Sequence, residues 1–94
     1  RDFIHIDDIV DAMDEAIKQD VQGPINLGNA RATSFNDLAG MVMEEAGYSA
    51  PIKHLTAEPV GVSYRVCDNR KLLSFYEPRI TLEEGIQRAL RYNR

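Results

Sequence analysis

The sequence has a single cysteine and no long apolar run, and each of these shortages excludes a class of protein. With Cys67 alone no disulfide forms within the chain, so we expect a reducing compartment and a cytoplasmic location. No segment approaches the ~20 apolar residues that cross a bilayer, and no leader of the secretory type is present. We therefore expect no membrane partner.

Basic side chains are scarce in the first half of the chain. Residues 1–47 contain three Lys or Arg and ten Asp or Glu, a net charge of −7, whereas residues 48–94 contain eight and five, a net charge of +3. No basic cluster is interleaved with aromatic residues, so we expect no nucleic-acid partner. The arginines still suit one anionic ligand, and Arg1, just before an apolar segment, and Arg65 are the candidates.

Complete catalytic and phosphate-binding motifs are also missing. The chain contains no G-x-G-x-x-G turn and no P-loop, and nothing marks a nucleophile elbow. His5, Asp7 and Asp8 are metal-ligand residue types, but the two aspartates suit the start of a helix better, so we predict no metal site. Cys67 is interpreted as a structural thiol. The residues alone indicate a globular domain without a catalytic set.

Apolar spacing and capping residues predict an α/β fold in one domain, residues 1–94, described equally well as a small α+β-like lobe. Helices are predicted at about 7–19, at 35–46 between Ser34 and Gly47, at about 70–75, and from Thr81 onward. Short strands are predicted at 3–6, 25–28, 51–55 and, weakly, 64–67. Residues 56–63, which include Pro59 and Gly61, are predicted to form a loop.

Three motifs in this order are familiar: RDFIHIDDIVDAMDEAI, then GPINLGNARATSFNDLAGMVMEEAG, then PRITLEEGIQRAL. Together they resemble the C-terminal part of extended short-chain dehydrogenase/reductases, the NAD-dependent epimerase/dehydratase family that acts on nucleotide sugars. The resemblance covers nearly the whole chain. It implies that the chain is the substrate-binding C-terminal fragment of a longer parent enzyme with a Rossmann-type fold.

The resemblance implies that the N-terminal Rossmann lobe of the parent, absent from this chain, binds NAD or NADP. That lobe would also carry the catalytic Tyr-x-x-x-Lys, so we expect no cofactor and no catalytic residue in the fragment, which would be inactive alone. Arg1 matches the family arginine that contacts the nucleotide diphosphate. The family's second such arginine is expected where Glu58 stands, and its ribose-binding aspartate near Gly61. Arg65 is the candidate to replace the missing arginine.

The implied function is to hold a nucleotide diphosphate-sugar while NAD(P) oxidises and re-reduces the sugar. The implied partners are the nucleotide sugar, the Rossmann lobe of the same protein and, in the parent, a second copy in a homodimer. Two alternatives remain at this point. One is a related reductase or decarboxylase, and the other is a non-catalytic relative that serves as a sensor or protein-interaction module.

Overall fold

The computed structural model describes residues 1–55, 57, 61 and 63–92. Its four helices are α1 (Ile6–Lys18), α2 (Phe35–Ala46), α3 (Arg70–Leu73) and α4 (Leu82–Tyr92). Within the described ranges no helix is long and apolar enough to cross a bilayer. Those ranges also contain no β-strand, so the α/β prediction, with its short strands alternating with helices, is wrong.

At two of the predicted strands, 3–6 and 25–28, a backbone carbonyl accepts a hydrogen bond from a side chain instead of pairing with a neighbouring strand. A strand persists only when a second strand completes its ladder of hydrogen bonds. Here the Asn29 amide donates to the Phe3 carbonyl (2.7 Å), and the Asn69 amide donates to the Gly28 carbonyl (3.0 Å). Asn26 likewise donates to the carbonyl of Asp68 (3.3 Å). In these segments asparagine side chains, and not a second strand, bind the backbone carbonyls.

Helix α2 has the predicted ends because both are set by local chemistry. The hydroxyl of Ser34 accepts a hydrogen bond from the backbone N–H of Asp37 (3.0 Å), which caps the first turn. Gly47 ends the helix in the left-handed conformation (φ 66°), which glycine adopts without a Cβ clash. Helix α4 begins as predicted too, since Thr81 accepts from the N–H of Glu84 (3.2 Å).

The core is small and lies between α1 and the segment that follows α3. Ala12 of α1 is fully buried against Leu72 and Tyr76, and Ile25, Leu27 and Phe75 pack around them. Ile80 and Ile86 are buried as well, at the start of α4 and within it. Three helices, α1, α3 and α4, and several irregular segments therefore share one thin apolar layer.

Asp8 joins α1 to this layer by a buried carboxylate, although its position in the first turn of a helix predicted only a favourable interaction with the helix dipole. Its side chain is 1% exposed. It accepts hydrogen bonds from the Tyr76 hydroxyl (2.6 Å) and from the backbone N–H groups of Arg79 (2.9 Å) and Ile80 (3.0 Å). The N-cap residue of α1 is His5, whose Nδ1 accepts a hydrogen bond from the backbone N–H of Asp7.

The same contacts shift two pKa values in opposite directions. Burial acts to raise the pKa of Asp8, but the hydrogen bonds from Tyr76, Arg79 and Ile80 outweigh it and lower that pKa below 3.8. Burial, together with donation to the Asp8 carboxylate, raises the pKa of Tyr76 from 10.0 to about 12. The arrangement therefore holds a charged carboxylate and a protonated phenol.

The neighbouring pair Asp7 and Asp8 allows a matched test of this contact. We expect Asp8→Ala to lower the free energy of unfolding by about 3–5 kcal/mol, because three donors, two of them buried, lose their acceptor. Asp7→Ala should cost less than about 1 kcal/mol, since its side chain is exposed where it pairs with Arg88 at 3.4 Å and with His5 at 3.7 Å. Urea unfolding of the two variants measures both values, and equal losses would contradict the assignment.

The pKa shifts also predict how stability depends on pH. The Asp8 contribution should be complete above its ordinary pKa of 3.8 and be lost as the pH falls toward the lower folded value. The Tyr76 contribution should be complete below pH 10.0 and be lost as the pH rises toward about 12. Urea midpoints recorded across pH should show both losses of stability. Tyr76→Phe should remove the contribution of Tyr76 to the loss at alkaline pH. An unchanged alkaline decline in Tyr76→Phe would refute this account.

Candidate functional site

Arg1, the first predicted ligand residue, lies on a fixed backbone beside an aromatic pair. Its backbone nitrogen donates to the Thr33 carbonyl (3.0 Å), and the Thr33 N–H donates to the Arg1 carbonyl (2.9 Å). The Arg1 guanidinium lies 5.8 Å from the centre of the Phe35 ring, a cation–π distance. Phe35 meets Phe3 edge to face, with ring centres 5.9 Å apart. The guanidinium is thus directed by contacts at both its base and its tip.

Asp2 fixes the backbone next to Arg1. Its carboxylate accepts from the backbone N–H groups of Asn29 (3.0 Å), Ala30 (2.9 Å) and Cys67 (3.3 Å), which joins three segments of the chain. Gly28 is buried against this carboxylate, and a Cβ there would stand 2.7 Å from an Asp2 oxygen and collide with the Cys67 sulfur. Only glycine fits without displacing the carboxylate.

The guanidinium of Arg1 makes no ion pair with any residue that the structure describes, whereas several other basic groups are paired. Arg31 binds Glu83 through two hydrogen bonds, Arg70 binds Asp68, and Lys18 binds Asp14. Those pairs neutralise their cations locally. Arg1 keeps its planar set of N–H donors available, and this geometry matches the oxygens of a phosphate.

Arg65, the second predicted ligand residue, is exposed and makes no hydrogen bond or ion pair within the described part of the chain. No described contact joins it to Arg1, so a two-arginine site is not assembled here. The chain does come close to Arg1 at Gly61, where an added Cβ would lie 3.7 Å from the guanidinium. Glu58 and Pro59, which belong to the same predicted loop, lie outside the described residues.

The helix N-termini do not offer an alternative site for a dinucleotide pyrophosphate. Such a site needs free backbone N–H groups at a helix start without nearby carboxylates. Helix α1 begins with Asp7 and Asp8, α2 has Asp37 in its first turn, and α4 has Glu83 and Glu84. The sequence also lacks the glycine-rich turn, so these residues do not fit the NAD(P) that the family uses.

Two other reactive side-chain types have structural roles. Burial, and then hydrogen bonding to Asp2, raises the pKa of the Cys67 thiol, which disfavours the reactive thiolate. His5 uses Nδ1 to cap α1. Among the described residues, no cluster of His, Cys, Asp and Glu could hold a metal ion.

Surface hollows also occur, and Arg1 lines neither of the two described here. One of about 640 Å³ is bordered by Glu15 and by 75–79, and another of about 170 Å³ lies between the N-terminal segment and α4. The first hollow is bordered by Tyr76 and Arg79, which donate hydrogen bonds to Asp8, so its shape follows from that contact. Sequence reasoning missed Asp2, Thr33 and Phe35, which position Arg1, because their contacts cross about 30 residues or more of chain.

Several curated proteins that are similar to this chain are named as enzymes of nucleotide sugars. UDP-glucuronic acid decarboxylase 1 of Xenopus tropicalis is 30% identical over 100% of this chain and 23% of its own length. GDP-mannose 3,5-epimerase of Arabidopsis thaliana is 32% identical over 93% of this chain and 23% of its length. UDP-glucuronic acid decarboxylase 5 of the same plant is 32% identical over 92% of this chain and 26% of its own length.

The chain spans about a quarter of the length of these curated relatives. No family model matches the chain, and no solved structure does. The similarity to the relatives nevertheless extends over nine-tenths or more of these residues, and it includes the segments in which the three motifs occur. The chain therefore belongs to the extended short-chain dehydrogenase/reductases, the NAD-dependent epimerase/dehydratase family.

Proposed function

We propose that the chain is the substrate-binding, C-terminal part of a longer nucleotide-sugar enzyme, and that Arg1 contacts the diphosphate of the substrate. The observation that carries this proposal is the Arg1 guanidinium, unpaired with any described residue yet directed by Thr33 and Phe35. An arginine on a fixed backbone can present two parallel N–H donors to phosphate oxygens. Phe35, 61% exposed beside it, offers an aromatic surface to the rest of the ligand.

The redox chemistry would then belong to the remainder of the parent, which would bind NAD or NADP in its Rossmann lobe. A bound nicotinamide cofactor supplies hydride transfer, and the protein supplies orientation and electrostatics. These 94 residues would bind the substrate and orient its diphosphate. Arg65 would assist only if the ligand itself draws it toward Arg1, because the two make no contact without one.

The enzyme class, the location and the oligomeric state in this proposal rest on different observations. The relatives are named as epimerases, decarboxylases and a synthase, which supports an enzyme over a non-catalytic sensor and leaves the reaction type open. A cytoplasmic location rests on the single cysteine. A homodimer of the parent rests on the family resemblance alone.

The first test of the proposal removes the guanidinium. In the parent, Arg1→Ala should weaken nucleotide-sugar binding on the order of 10- to 100-fold, because a charge-assisted hydrogen bond contributes about 1.5–3 kcal/mol. Arg1→Lys should recover only part of the loss, since an ammonium cannot donate two parallel hydrogen bonds. Calorimetric titration measures the affinity, and thermal unfolding of each variant is recorded alongside.

Arg31→Ala is the matched control, because it removes the same charge from an arginine already paired with Glu83. Its affinity should stay within about twofold of the parent value. Arg65→Ala shows whether the second arginine contributes, and the double variant with Arg1→Ala should be non-additive if both hold one phosphate. The 94 residues alone, given NAD and a nucleotide sugar, serve as the inactive reference. Unchanged affinity in Arg1→Ala would refute the proposed contact.

A second test disturbs the backbone beside Arg1 without touching its side chain. Gly28→Ala should destabilise the chain by about 1–3 kcal/mol, because the new methyl group displaces the Asp2 carboxylate or the Cys67 sulfur. Gly40→Ala is the control, since nothing lies within 4 Å of its added Cβ and alanine favours a helix by about 1 kcal/mol. Urea unfolding should give opposite signs. A stable Gly28→Ala with full substrate affinity would show that Asp2 does not fix Arg1.

A further inference from the structure

Helix α1 has apolar side chains on two faces, and only one face is covered. Asp8 and Ala12 are buried, and Ile9 and Ala16 are half-buried on the covered face. On another face lies an exposed row, which we call the α1 stripe: Ile6 (61% exposed), Val10 (55%), Met13 (54%) and Ile17 (79%). Its spacing of four, three and four residues places all four side chains in one line along the helix.

Such a row is the pattern of a helix that packs against a second partner. Surface helices of globular proteins carry one apolar face, whereas helices that are apolar on most sides are buried in a larger core. The spacing is also that of the seam by which one helix packs along another. The α1 stripe therefore predicts a partner that lies along the whole helix.

The dimensions of the chain point the same way. It measures 47 × 31 × 17 Å with a radius of gyration of 15.7 Å, whereas a compact chain of this length has a radius of about 12 Å. Its accessible surface is 7115 Å², against about 5,500 Å² for a compact protein of 10.6 kDa. A slab 17 Å thick holds little more than one layer of helices, and domains need two layers to enclose a core.

Charge argues against a second copy of the chain as the partner. Helix α1 carries five carboxylates and one lysine, and the exposed Asp7, Asp11 and Asp14 follow one edge of the stripe. Two α1 helices packed through their stripes would bring two strongly acidic helices together, which is unfavourable. Asp11 makes no ion pair with a described residue, so that edge suits a partner surface with Lys or Arg beside its apolar centre.

We infer that the α1 stripe is an interface with the remainder of the parent chain, packing on an apolar surface of that remainder with basic residues at its edge. The inference rests on the proposed function in one respect, that these residues are one part of a longer enzyme. The relatives extend for about three times this length beyond the matched region, which is ample for a second layer. The interface would join the substrate-binding part to the rest of the enzyme through its first helix.

Thiol labelling in the full-length parent tests this inference. Ile17→Cys and Lys18→Cys are compared with Cys67→Ser present in both, because residues 17 and 18 are neighbours that differ only in lying on the stripe or beside it. We expect N-ethylmaleimide to label Ile17→Cys on the order of 100-fold more slowly than Lys18→Cys at every protein concentration, as for a site exposed only by local opening. Peptide mass spectrometry quantifies each site.

Equal labelling rates would overturn the inference, and so would protection that disappears on dilution, which would assign the stripe to a second copy. If the substituted proteins do not fold, peroxide oxidation of the unsubstituted parent gives the same answer. Met13 is exposed in this chain while Met41 and Met43 are half-buried, and we expect Met13 to become the slowest of the three in the parent. Neither readout uses substrate, so failure here and failure of Arg1 binding are distinguishable.

Discussion

The buried carboxylate of Asp8 is the contact on which the arrangement of the helices depends. One side chain from the first turn of α1 accepts three hydrogen bonds from residues 68–72 positions later, and it thereby fixes where α4 begins. A buried charge is tolerated only when its hydrogen bonds are made, so α1 and the segment before α4 have little freedom to separate. In a chain with so thin an apolar layer, this polar contact supplies the specificity that a larger core would otherwise give.

Asp2 fixes the N-terminal segment by hydrogen bonds to its carboxylate, as Asp8 fixes α1. Both carboxylates accept backbone N–H groups from distant segments, and both replace regular β-pairing with side-chain acceptors. The asparagines at 26, 29 and 69 act in the same way through their donors. Among the described residues, contacts of this kind therefore hold the segments between the helices in place where no sheet forms.

The contrast between α2 and the predicted strands shows what the sequence could reveal. Ser34 and Gly47 determine the ends of α2 through groups at most four residues away, so local rules predicted them. A strand depends on a distant partner, and the β-branched residues at 3–6 and 25–28 did not disclose that asparagines would take the place of that partner. Asp8 was placed correctly in the first turn of a helix, but nothing in its neighbourhood indicated Tyr76 as its partner.

The candidate site divides in the same way. Residue chemistry alone raised Arg1 and Arg65 as anion ligands, and the family resemblance gave them a role. The structure adds the contacts that direct Arg1 and leaves Arg65 apart from it, a difference that depends on tertiary contacts with Thr33 and Phe35, more than 30 residues along the chain.

The distribution of carboxylates limits which ligand the chain can receive. All three long helices begin with acidic residues, which satisfy their own helix dipoles and repel a phosphate from those ends. Several basic side chains are already neutralised by acidic neighbours. Among the described residues, arginine side chains therefore suit an anionic ligand better than the helix N-termini do. The same acidic first turns, together with the lack of a glycine-rich turn in the sequence, disfavour a dinucleotide cofactor, whose usual binding site is a helix N-terminus behind such a turn.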